Sequence, residues 1–151
     1  MSLITQLRQA LGPTAKNATD EDLLSLYAEA TGQSPSQVAD AARYDLGSGS
    51  LSGERIAGGI DRYQAGWYGL GEAAAGALGA TGAEDWFARN RRANEFQAAV
   101  AADRARGLGG IDSYKDVSGV SSALNYAGGL LANTAPYLAE AAVGGLAARG
   151  L

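Results

Sequence analysis

The sequence predicts an all-α protein whose helices meet through small residues rather than through large apolar ones. Of 151 residues, 32 are Ala and 22 are Gly, whereas Leu, Ile, Val and Phe together number 28. The 46% apolar share therefore overstates the bulk available to a core, and 28 residues lie below the level at which a packed core is normally secure. Against disorder stand a net charge of only −4 and apolar residues that recur at helical spacing, because disordered chains usually combine low hydrophobicity with strong net charge. Paired start and stop signals, finally, divide the first third of the chain into helices.

Leu3, Leu7 and Leu11 fall in line at intervals of four and predict a short amphipathic helix that Gly12-Pro13 ends. In ATDEDLLSLYAEATG, Thr19 is the N-cap and Asp22 completes a capping box, with Asp20, Glu21 and Asp22 at the positive end of the helix dipole and Gly32 as the stop. SPSQVADAARYDLG repeats the scheme: Ser34 caps, Pro35 takes the first helical position, Gln37 completes the box and Gly47 terminates. Two capped helices joined by a few residues make a helical hairpin. Residues 1–47 thus form an N-terminal unit of capped helices, the GSGS stretch gives a flexible joint over 48–53, and 54–151 form an Ala/Gly-rich helical assembly region.

From Ser52 to about Ala80 one helix presents an apolar stripe of Ile56, Ile60, Tyr63, Trp67, Leu70 and Leu78. A second face, Gly59, Gly66, Gly69, Ala73, Gly76 and Ala80, is small almost throughout, and Glu54, Asp61 and Glu72 lie on a third. Glycine costs a helix up to about 1 kcal/mol relative to alanine, so the small face is assigned to close helix–helix packing, the alternative being that Gly71, Gly76 and Gly79 break the helix into loops. GAEDWFARNRRANEFQAAVAADRARG predicts the next helix, acidic at its start and basic at its end, with Gly107 as stop and Trp86, Ala93, Phe96 and Val100 on its apolar side. Arg89, Arg91 and Arg92 read as a solvated face or as intrahelical ion pairs. From Val117 to Ala139 the chain carries no charge for 23 residues. Ser118 is the expected cap there; Val117, Val120, Leu124, Leu131 and Leu138 share one side and mark a membrane-compatible or assembly segment. The run has the length of a membrane span but lacks the hydrophobicity. Pro136 predicts a kink, or a restart of the helix with Thr134 as cap.

Histidine and cysteine are both absent, which excludes disulfides, thiolate nucleophiles, the usual zinc sites and the commonest general base. Glu29, Glu54, Glu72 and Glu140 read as surface carboxylates, so no catalytic, cofactor or metal residue is assigned. Basic and acidic residues are interspersed in both halves, with no basic arm for sequence-specific nucleic-acid recognition. The opening MSLITQLRQAL has one arginine and no apolar run of the kind a secretory signal requires.

The order of these segments resembles the internal virion, or ejection, proteins of short-tailed bacteriophages. Carrying the resemblance are Trp67-Tyr68-Gly69-Leu70, the arginine-rich RRANEF segment, Asp116-Val117 before the last helix, Tyr126-Ala127-Gly128, and Pro136-Tyr137-Leu138 before a Gly-Ala tail. It extends roughly from Glu54 to Gly150. The resemblance implies a structural protein packed in the virion interior near the portal, released into the host envelope ahead of the genome, and assembled there into a conduit for DNA. It also implies an N-terminal portion of a larger polypeptide, since family members are usually longer. The implied partners are further copies of the chain, the portal or fellow ejection proteins, and the host membrane. A lytic transglycosylase module of the kind many relatives carry is expected elsewhere, not in these residues. Two other classes fit the same residues: a membrane-active pore or anchor protein unrelated to phage, and a helical adaptor that docks through the Asp20 to Leu46 hairpin or belongs to a larger enzyme such as a peptidoglycan hydrolase.

Overall fold

The computed structural model describes residues 1–44 and 50–148, the side chains of Ser52, Ala135 and 138–148 excepted. Among the described residues the chain is entirely helical: α1 (Leu3–Leu11), α2 (Asp20–Thr31), α3 (Pro35–Ala42), α4 (Leu51–Ala77), α5 (Thr81–Gly107) and α6 (Val120–Ala148), with short 3-10 turns at Gly12–Ala15 and Tyr114–Asp116.

Both capping boxes form as the sequence dictates. The Thr19 hydroxyl accepts from the Asp22 amide while the Asp22 carboxylate accepts from the Thr19 amide, and Ser34 and Gln37 exchange the same pair of bonds. Helix ends depart further from expectation. α3 stops at Ala42, where Arg43 takes a left-handed φ of 55°; Gly47, the expected stop, lies outside the described residues. α4 closes three residues earlier than expected, and the left-handed residues that end α4 and α5 are Gly79 and Gly109 rather than Gly107. In both cases an amide five residues along returns to the helix, Ala80 to Ala75 at 2.9 Å and Gly110 to Ala105 at 2.8 Å. The start of α6 is organised by Ser122 rather than Ser118: its hydroxyl accepts from the Ser118 and Gly119 amides, each at 2.8 Å. Residues 51–53 of the expected joint form the first turn of α4, which Ser50 caps.

The apolar core joins the N-terminal helices to α5. Leu24 and Ala28 of α2 and Val38, Ala39 and Ala42 of α3 surround Phe96 and Val100, with Leu3, Ile4 and Leu7 of α1 packed against them. Polar latches flank this core. Arg92 pairs with Asp22 at 2.7 Å, Arg104 with Asp40 at 2.6 Å, and Asp103 accepts from the Ser36 hydroxyl. Arg91 makes the expected intrahelical pair with Glu95, but it also binds Glu72 of α4 at 2.7 Å, so Arg91 and Arg92 clamp helices together rather than forming a solvated face.

α5 is a double-sided helix. While Phe96 and Val100 face the N-terminal unit, Phe87, Arg91, Asn94, Ala98, Ala101 and Ala105 recur at intervals of four and three on the other side, the period of a coiled-coil seam. α4 answers with Glu54, Gly58, Asp61, Ala65, Tyr68, Glu72 and Ala75 at the same period. The two antiparallel helices approach so closely that a Cβ on Gly58 would lie 3.2 Å from the Ala101 Cβ, and one on Gly71 would overlap the Phe87 ring at 2.4 Å. The polar face of α4 is therefore directed inward. Glu54, expected at the surface, is 1% exposed, and burial raises the Asp61 pKa above its ordinary value.

Two carboxylates of opposite sign follow. Burial pushes the Asp22 pKa up, but the Arg92 guanidinium and the Thr19 cap together hold it below 3.8. A lowered folded pKa contributes stability present above the unfolded value and lost as pH falls through the folded one; a raised pKa does the reverse. Asp22→Asn should lower stability by about 1 kcal/mol at neutral pH, and Asp61→Asn should raise it. Urea midpoints at neutral pH and at about pH 2 check both, since each difference should close once the native carboxyl is protonated.

Candidate functional site

α4 carries three working surfaces, fixed by its register. Its small and polar seam meets α5, the side containing Arg55, Gly59 and Arg62 meets α6, and the apolar stripe borders that second contact. α6 runs parallel to α4, since Arg55 meets Asn125, Gly59 meets Ala132 and Tyr63 meets Tyr137.

The α4–α6 contact is polar and directional. Buried Arg55 donates through Nη1 to the Asn125 carbonyl at 2.7 Å and through Nη2 to Asn125 Oδ1 at 2.8 Å and the Ile111 carbonyl at 3.1 Å. Asn125 Oδ1 also accepts from the Ile111 amide, and its Nδ2 donates to the Gly109 carbonyl. One guanidinium and one carboxamide thus join α4, the end of α5, the connector and α6. Gly129 lets the guanidinium lie on the α6 backbone, for a Cβ there would stand 2.8 Å from Arg55 Cζ. Further along, Arg62 Nη1 donates to Asn133 Oδ1 at 2.9 Å.

Pro136 neither breaks nor restarts α6. The helix runs through it, and the Thr134 hydroxyl donates back to the Leu130 carbonyl at 2.8 Å instead of capping a new start. Proline has no N–H, so the Ala132 carbonyl loses its intrahelical donor. Gly59 lies against that carbonyl: a Cβ at position 59 would be 2.7 Å away, so a Cα–H of Gly59, a weak donor, occupies the space.

The residues singled out in the sequence separate into distinct roles. Of the small face, Gly59 packs on α6, Gly69 touches Arg91 and Gly76 lies near Glu84 of α5. Gly66 has open space around it, Ala73 is exposed, and Ala80 lies beyond α4 in the turn to α5. The α4–α5 seam instead uses Gly58, Ala65 and Ala75, which the hydrophobic pattern did not select; the matching four-three spacing on α5 was the available signal. The apolar stripe lies outside. Ile56, Ile60 and Leu78 are exposed, as are Trp67 at 51% and Leu70 at 64%. Tyr63 is half-buried and joins the stripe to α6, its ring 5.1 Å from Tyr137 and 6.3 Å from Trp67. Trp86 is likewise half-exposed, stacked edge-on with Tyr68 and Phe87.

On α6, Val120 is 80% exposed, Leu124 69% and Leu131 64%. At spacings of four and seven they line the side of the helix turned from α4. Val117 precedes the helix in extended conformation, and the Leu138 side chain lies outside the described residues. No helix among the described residues is long and apolar enough to cross a membrane. No group of three or more carboxylates among them could hold a metal ion. The chain therefore carries two separate apolar faces, one on α4 and one on α6.

Neither a family model, nor a curated protein, nor a solved structure matches this chain. Its functional reading rests on the geometry just described.

Two glycines from the same predicted face should respond oppositely. Gly66→Ala, in open space, should raise stability by up to about 1 kcal/mol through helix propensity. Gly59→Ala would drive a methyl into the Ala132 carbonyl and should lower stability and loosen α6. Denaturation midpoints give the first comparison, and amide exchange along residues 120–134 gives the second.

Proposed function

We propose that this chain is a structural assembly protein whose copies join head to tail, the α4 stripe of one against the α6 stripe of the next. The observation that carries this reading is the pair of distinct apolar faces on one chain. Two different complementary patches generate a heterologous contact, and repetition of such a contact closes into a ring or continues as a tube. A single patch that recognised only itself would stop at a dimer. Large apolar side chains held outward along two helices are a feature of surfaces that meet other proteins or membranes.

An ejection protein of a short-tailed phage, the role implied by the resemblance, fits this arrangement. Such a protein stays in the virion until infection and then lines a conduit in the host envelope; a ring or tube of helices is the architecture that task needs. Weak coring suits delivery, because a chain with few large buried side chains can open and reform at modest cost.

Light scattering behind a sizing column gives the direct test. The chain should form a discrete multimer, and a monomer at high micromolar concentration would overturn the reading. Trp67→Asp with Leu70→Asp should give a monomer, and so should Leu124→Asp with Leu131→Asp. Mixing these two variants should restore a one-to-one dimer through their intact faces. If either variant alone stays dimeric, the contact is isologous and the tube model fails. For the delivery role, the chain should be found in purified particles and be missing from them after DNA release. Sedimentation with liposomes by the isolated wild-type monomer, without assembly, would favour the membrane-anchor alternative instead.

A further inference from the structure

A groove on the opposite side of the molecule is unused by either apolar face. It lies between α2 and α5, closed at one end by Pro35, with a volume of about 710 Å³. Its floor is apolar: Ala28 and Phe96 are buried beneath it, and Leu26 stands 56% exposed at its edge. Along α2 it runs from Glu21 to Glu29, about 12 Å at the rise of an α-helix, which is just over two helical turns.

The rim is acidic. Glu21, Asp22, Glu29 and Glu95 line the groove against a single cation, Arg92. Arg92 is neutralised by Asp22, and Glu95 is paired with Arg91. Glu21 accepts from the neutral Tyr44 hydroxyl and forms no ion pair among the described residues, while burial and that contact raise the Tyr44 pKa to about 12. Glu29 is exposed and forms no ion pair among the described residues. Glu21 and Glu29 therefore present two uncompensated charges about two turns, or ~12 Å, apart on one helix.

We infer that this groove docks a cationic amphipathic helix of another protein, with an apolar stripe on the floor and Lys or Arg residues two turns apart over Glu21 and Glu29. An acidic rim with an apolar floor is the complement of such a helix. The occupant is not this chain's own helix. Among the described residues, Arg55 and Arg62 are the only basic residues seven or eight apart within one helix, and both are engaged by Asn125 or Asn133 of α6. The inference is independent of the head-to-tail contact, which uses other surfaces.

The test is a titration of the full chain into a labelled amphipathic peptide of about four turns, with a leucine stripe and lysines two turns apart, followed by fluorescence anisotropy. Saturable binding is expected, absent for the same peptide with glutamates in place of lysines. Glu29→Lys should weaken it about tenfold or more, as should Ser25→Trp, which fills the groove. Asp116→Lys, an equal charge change at an exposed site outside the groove, should leave affinity within about twofold. Glu29→Lys is a surface change and keeps the test valid if Ser25→Trp fails to fold. No saturable binding, or equal losses for Glu29→Lys and Asp116→Lys, would overturn the inference. So would Glu29→Lys dissociating a multimer of the wild-type chain, since the occupant would then be a second copy.

Discussion

The close approach of α4 and α5 is the constraint on which the rest of the molecule depends. Two 27-residue helices joined by a three-residue turn must lie side by side, and their separation is set by Gly58 against Ala101 and Gly71 against Phe87. At the Gly58 and Gly71 layers no isoleucine or tryptophan fits between them. Bulk is therefore forced outward, and a helix whose apolar stripe would ordinarily define its interior becomes one whose small and polar side is the interior. The glycines that weaken α4 as an isolated helix, by up to about 1 kcal/mol each, are the condition for its closest packing.

A second dependence runs through Arg55. Because α6 meets α4 chiefly through hydrogen bonds and a freed carbonyl, with the Tyr63–Tyr137 ring contact beside them, its position is fixed by direction more than by area. A buried guanidinium is costly if one acceptor is removed, so Asn125 makes a single register of α6 strongly preferred. The same arrangement leaves Leu124, Leu130 and Leu131 of α6 exposed. The N-terminal unit follows the opposite rule, with Leu24, Val38, Phe96 and Val100 in an apolar core of ordinary kind.

Local chemistry was legible in the sequence. Thr19 with Asp22 and Ser34 with Gln37 fixed two helix starts, because a cap depends on residues three apart and on nothing distant. The number of long helices was legible for the same reason. Sidedness was not. Hydrophobicity selects Ile56, Ile60, Trp67 and Leu70 as an inner stripe, yet the inner seam of α4 is offset from it by two residues and is distinguished only by fitting a matching seam on α5. Glu54 and Arg55 illustrate the remaining gap. Glu54 reads as a surface carboxylate from its charge alone, and no local pattern announces that its neighbour Arg55 finds acceptors at Asn125, seventy positions away.

The turn at 78–80 gives the α4–α5 pair a mechanical character. An antiparallel hairpin pulled apart at its open end loads one contact layer at a time, whereas helices sheared along their length must break every layer together. The seam here consists of discrete layers, some a glycine against an alanine or a ring, others the Glu72–Arg91 pair or Tyr68 against Phe87. Force applied at residues 51 and 107 would peel them in succession, so the peak load is that of a single layer and does not grow with the length of the helices.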